Sequence, residues 1–171
     1  MDHPHLLPII TSFLHSIGIQ VAEKTLPEGT FLPGIRLENG ALAVDPDKLK
    51  YVGDILHEAG HIAVMAPSQR SCCFADAGAD MGEEIAAQAW SYAAALACDI
   101  EPEVVFHDHG YKGGGSHAAA IYRQGHWPGV PLLAWMGLTG MPEMEGEIAK
   151  PKFPDMKAWM RDLDDPTERY R

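Results

Sequence analysis

Apolar and polar positions alternate between two rhythms along this chain, and the changes of rhythm mark its elements. Residues 6–17 repeat with helical period and read as an amphipathic opening helix, and Ile19 to Ala22 reads as a short extended piece. Apolar alternation on both sides of Asn39-Gly40 predicts a hairpin with strands near Gly34 to Glu38 and Ala41 to Val44, one of them at a sheet edge. Asn-Gly suits a two-residue turn in which both residues need positive φ. Asp45-Pro46 then resembles a helix start, since an Asp carboxylate caps free N–H groups and Pro at the first position loses only an unpartnered donor. A helix from near Pro46 would carry Leu49, Val52, Ile55, Leu56, Ala59, Ile62 and Ala63 as one apolar stripe, ending at Pro67. Gly60 lies inside it at a cost of about 1 kcal/mol against Ala, which makes sense where a neighbour approaches closely.

Asp80 to Cys98 is the second strong helix, with Asp80 as N-cap and Ile85, Ala89, Ala93 and Leu96 on one face. Val104 to Phe106 is a strand or a helical turn, Ser116 to Gln124 a helix closed by Gly125, and Pro131 to Leu138 another helix. Phe153, Met156, Trp159 and Leu163 recur at helical spacing and predict a final helix, with fraying after Asp164. The fold class is α+β, a small sheet with a hairpin packed with several helices, over residues 1–171 as a single domain.

The chemistry concentrates in His57-Glu58-Ala59-Gly60-His61. Positions i and i+4 share a helix face, so the two imidazoles can close on one metal ion while Glu58 leans over its open side. A water-activating zinc site takes three protein ligands and keeps one position for water. The third ligand is sought at the start of the second helix. Glu83 is the N3 residue after Asp80 and suits a capping box, which leaves Glu84 freer to face the His pair; both acids also suit the positive helix N-terminus. An imidazole and carboxylate site prefers zinc, though Fe, Co, Ni or Mn also fit its chemistry.

H-E-x-x-H followed by a Glu on a second helix resembles the zincin metallopeptidases of the glutamate-ligand (gluzincin-like) type. The stretch 35–97 is more closely similar to the small ImmA/IrrE-like metallopeptidases, in which a hairpin leads into the H-E-x-x-H helix and a later helix reads roughly E-x-x-A-N-x-F-A. Here that helix reads Glu84-Ile85-Ala86-Ala87-Gln88-Ala89-Trp90-Ser91, with Gln88, Trp90 and Ser91 where the pattern has Asn, Phe and Ala. The resemblance implies a zincin-like core with His57, His61 and Glu84 as zinc ligands and Glu58 as general base. The expected activity is that of a zinc-dependent hydrolase, a metallopeptidase in which a water activated by Glu58 attacks a peptide or amide carbonyl. A regulatory metal-binding module retaining that core, or a hydrolase of a small amide, are the alternatives.

Phe106 to His117 is turn-rich and polar, as an active-site loop is, and offers His109, Tyr111 and His117 as hydrogen-bond donors to a developing oxyanion. His107-x-His109 reads as a surface loop before a second metal site, and Gly113-Gly114-Gly115-Ser116 as a hinge or carboxylate site without P-loop spacing. Trp135 and Met136 read as core. The chain is 46% hydrophobic and 22% charged, ordinary for a globular protein, and its formal net charge of −11 argues against nucleic acid and anionic membranes as partners. No positive n-region precedes Lys24, and prolines and glycines interrupt the uncharged run from Gln124 to Pro142, so neither a secretory signal nor a membrane helix is expected. Three cysteines, Cys72 and Cys73 adjacent, make no disulfide framework; buried or inert thiols in a reducing cytoplasm are expected.

Overall fold

The computed structural model describes residues 1–72, 74–75, 80–110, 115–146 and 150–170. A 3-10 turn, Pro4–Leu6, runs into α1, Leu7–Ser16. Three strands follow, β1 (Val21–Glu23), β2 (Ile35–Glu38) and β3 (Ala41–Val44), then α2 (Asp54–Val64), the short α3 (Pro67–Arg70) and β4 (Phe74–Ala75). The remainder is helical: α4 (Met81–Ala97), α5 (Pro102–Val105), α6 (Gly115–Arg123) and α7 (Val130–Trp135), with a last 3-10 turn at Pro166–Tyr170. The fold is therefore α+β. No helix among the described residues is long and apolar enough to cross a membrane.

The sheet has the order β1-β3-β2-β4, with β1 parallel to β3 and the other pairs antiparallel. Asn39 and Gly40 take φ of 53° and 76°, as the expected hairpin turn requires. The hairpin lies in the middle of the sheet, not at an edge as expected, because β1 covers β3 and β4 covers β2. The reason is legible in β3, where Leu42, Ala43 and Val44 are all buried: a strand apolar on both faces is suited to the centre.

Four further expectations need correction. First, α2 begins at Asp54, not near Pro46. The buried Asp45 carboxylate accepts the Leu26 N–H at 2.9 Å and the Asp47 N–H at 3.2 Å, and the N–H groups of Lys48 and Leu49 close a turn on its carbonyl. Leu49 and Val52 are nonetheless buried, so the apolar rhythm runs through a turn and a helix alike. Second, Leu96 is exposed, while Ala86, Ala87, Ala89, Trp90, Ala93 and Ala94 are buried; α4 packs on α2, α5 and α7 together, so its buried face is broad and rotated from the one expected.

Third, residues 153–163 form no helix. Their backbone N–H groups bond to other segments, Phe153 to the Gly140 carbonyl, Lys157 to Leu138 and Arg161 to Ala63, so the apolar side chains reach the core from a bent strap. Trp159 anchors that strap, accepting the Trp90 indole N–H at 2.9 Å on its carbonyl and setting its ring edge-on to Trp90 and Phe13. Fourth, the chain after Asp164 turns into the 3-10 segment where fraying was expected. Val104 to Phe106 resolves as the end of the helical turn α5, and Met136 is buried whereas Trp135 is exposed. Cys72 is exposed and Cys98 half-buried, both free thiols, and Cys73 lies outside the described residues.

The helix pair α2 and α4 is the most extensive contact in the molecule, and one buried apolar cluster joins it to the sheet, α1, α7 and the strap. At the C-terminal end of α2, two guanidinium groups collect carbonyls of the helix end and of the strap beside it. Arg70 donates to Ile62, Ala63 and Met65, and the buried Arg161 to Val64, Leu163 and Asp164.

Candidate metal centre

His57 and His61 leave α2 one turn apart, with rings edge to face and Nε2 atoms 3.2 Å apart. What faces them depends on how closely α4 crosses α2. A Cβ added to Gly60 would stand 2.8 Å from the Ala87 carbonyl oxygen and 3.0 Å from Ser91 Oγ, so the glycine fills the close-approach role its sequence position suggests. Ser91 spans the crossing, its hydroxyl within bonding distance of the Leu56 carbonyl of α2 at 3.3 Å as well as the Ala87 carbonyl of its own helix at 2.6 Å.

The first turn of α4 consequently delivers Glu84 to the two rings. Asp80 caps this helix, its Oδ1 accepting from the N–H groups of Gly82 and Glu83. Glu84 places Oε2 3.1 Å from His61 Nε2 and Oε1 3.7 Å from His57 Nε2, and Gln88, one turn on, donates to Oε1 at 2.9 Å. Glu58 also contributes: one of its carboxylate oxygens and one nitrogen of each ring lie within 4.8 Å of one another, a His-Glu-His group able to hold a metal ion.

The distances separate the roles of the two acids. Zinc bonds of about 2.0–2.1 Å in tetrahedral geometry put neighbouring ligand atoms about 3.4 Å apart. The two rings at 3.2 Å and the His61 contact to Glu84 Oε2 at 3.1 Å lie near that edge, while His57 stands 3.7 Å from the other oxygen, Oε1. The donor set suits a divalent ion, Glu84 meeting each ring through a different oxygen, with the buried Glu58 beside it.

Burial and neighbouring charge act differently on each member of the cluster. Burial, and then His61 beside it, pushes His57 down to about 4, against the pull of Glu84, so at neutral pH its ring is uncharged. Burial acts to lower His61 too, but the Glu84 hydrogen bond and the charges of Glu58, Glu84 and Glu83 outweigh it and raise the ring above its ordinary value. Glu84 is held down at about 2, chiefly by His61, against burial and with help from His57 and Gln88. Glu83 makes no such pair among the described residues and is raised by burial first and Asp80 second.

Of the loop residues, His109 is exposed with its ring on Tyr51 at 5.3 Å, and His117 stands exposed in the first turn of α6. Tyr111, with Lys112 and the glycines 113 and 114, lies outside the described residues. Sequence reasoning missed the pair beside the centre: His107 Nε2 meets the buried Asp54 Oδ1 at 2.8 Å, with the His107 ring stacked on Tyr51 at 4.1 Å. The one available signal was an acid within the apolar run of the metal helix, one turn before His57.

Comparison with protein-family models, with curated proteins and with solved structures finds no match to this chain. Two imidazoles and two carboxylates, Glu58 and Glu84, converge between α2 and α4.

Proposed function

We propose that the protein is a zinc-dependent hydrolase of the zincin kind, most naturally a metallopeptidase acting on peptide or amide bonds. The observation that carries this is the convergence of the His57 and His61 rings, 3.2 Å apart, with the two oxygens of Glu84, Oε2 at 3.1 Å from His61 and Oε1 at 3.7 Å from His57, beside the buried Glu58. His57, His61 and Glu84 would hold the ion, and Gln88 orients Glu84 through its hydrogen bond to Oε1. Zinc, when bound, supplies a Lewis acid and lowers the pKa of a coordinated water to about 7. Glu58 would take the proton of an attacking water and return it to the leaving amine. His109, Tyr111 and His117 remain the loop's candidates for stabilising an oxyanion.

Purified protein and its Glu58→Gln variant should each contain about one zinc per chain. The wild type should cleave members of a peptide and amide library, and the variant should be slower by about 10²–10⁴-fold, the range for loss of a general base. A zinc-loaded wild type that cleaves nothing, indistinguishable from Glu58→Gln, would overturn the hydrolase reading in favour of a regulatory metal-binding module.

A further inference from the structure

α5 and the segment just beyond it touch the start of α2 at two independent places. At Gly53, the N-cap of α2, an added Cβ would run into the backbone of Val104 and Val105, so α5 lies directly on the helix start. One residue on, Asp54 is the first residue of α2, 7% exposed, and receives His107 Nε2 at 2.8 Å. The other ring nitrogen is also engaged, because the Gly110 N–H donates to His107 Nδ1 at 3.0 Å.

An imidazole nitrogen that accepts an N–H bond carries a lone pair, so the His107 proton resides on Nε2 and is donated to Asp54. Both nitrogens being used, this ring has no ligand atom left for a metal and no donor left for a substrate; the His107-x-His109 pair is not a second chelate. Stacking on Tyr51 fixes its plane. Asp54 precedes His57 by three residues, and positions i and i+3 share a helix face, so the bond grips α2 on the flank from which His57 projects.

We propose that Asp54 and His107 are positioning residues for the metal centre: the Gly110–His107–Asp54 chain of hydrogen bonds pins the first turn of α2 and thereby the placement of His57 against His61 and Glu84. This rests on the metal-site reading above. Neither residue touches the ion. His107 fixes Asp54, Asp54 fixes the turn, and the turn carries His57. Supporting partners of metal ligands commonly change affinity by about 10–100-fold when removed, and the same scale is expected here.

The test uses the full chain as wild type, His107→Ala, His107→Gln and Asp54→Asn, with zinc affinity from chelator competition, the visible spectrum of the cobalt(II)-loaded proteins and thermal unfolding of the metal-free proteins. The expected result is at least a tenfold weaker zinc affinity and an altered cobalt spectrum in His107→Ala. His107→Gln, which keeps an N–H donor, should recover most of both, and Asp54→Asn should fall between. If His107→Ala only lowers the unfolding temperature while zinc affinity stays within twofold and the cobalt spectrum is unchanged, the pair merely stabilises the fold and the proposal is overturned. A His107→Ala chain too unstable to measure leaves the His107→Gln and Asp54→Asn pair to decide by the same two readouts. A wild type that binds neither metal sinks the metal-site reading itself, which separates that failure from this one.

Discussion

Replacing Gly60 by alanine tests the crossing on which the metal centre depends. The new methyl would stand 2.8 Å from the Ala87 carbonyl oxygen, about 0.6 Å short of the 3.4 Å at which ordinary packing begins, and 3.0 Å from Ser91 Oγ. The nearest obstacle is backbone, so α4 must move as a body, carrying Glu84 with it. Two stability effects oppose one another: alanine gains about 1 kcal/mol of helix propensity, and overpacking costs about 1–3 kcal/mol. The net loss is about 0–2 kcal/mol, which in a chain of this size lowers the unfolding temperature by no more than about 8 °C. Metal binding is less forgiving, because ligand distances are held to about 0.2 Å, so zinc affinity should fall by about tenfold or more. The assay pairs chelator competition for zinc with thermal unfolding of the metal-free protein. A Gly60→Ala chain that binds zinc within twofold of wild type would refute the claim that the close approach places Glu84.

Other expectations follow from the same geometry. Glu84→Ala should abolish stoichiometric zinc by elemental analysis whereas Glu83→Ala should retain it; equal retention by both would return the third ligand to an open question. Zinc uptake should release one proton between pH 4 and the raised pKa of His61, because in that window His57 is already neutral, Glu84 is already ionised and only His61 must give up its proton. Affinity should then rise about tenfold per pH unit there and level off above it, and titration calorimetry in buffers of different ionisation enthalpy that finds two protons released at pH 5 would contradict the assignment. Arg161→Ala should destabilise the fold by about 3 kcal/mol, since a buried guanidinium serving the carbonyls of Val64, Leu163 and Asp164 leaves them without a donor. Urea unfolding that moves by less than 1 kcal/mol would show that water replaces it freely.

How far the sequence carried the fold depends on whether a pattern had local causes. The Asn39-Gly40 turn, the Asp80 cap and the limits of α4 came out as expected because a turn residue or capping carboxylate acts within a few residues of itself. Apolar period misled where tertiary bonds replaced local ones: Asp45 spends its carboxylate on Leu26 and begins no helix, and the strap at 153–163 spends its N–H groups on Gly140, Leu138 and Ala63. Burial alone does not reveal the backbone's partners, and both segments bury the residues that the pattern marks.

At the centre itself the division is similar. The i, i+4 placement of His57 and His61 and the adjacency of Glu58 belong to any helix carrying this pentapeptide, so the sequence alone determined them. That Glu84 rather than Glu83 meets the rings, that Gln88 steadies it, and that His107 reaches Asp54 were decided by the tertiary structure. The physical reason is that an interhelical distance is set by side-chain volume at the crossing, here the missing methyl of Gly60, and a bond between Asp54 and His107 exists only once distant segments have packed together.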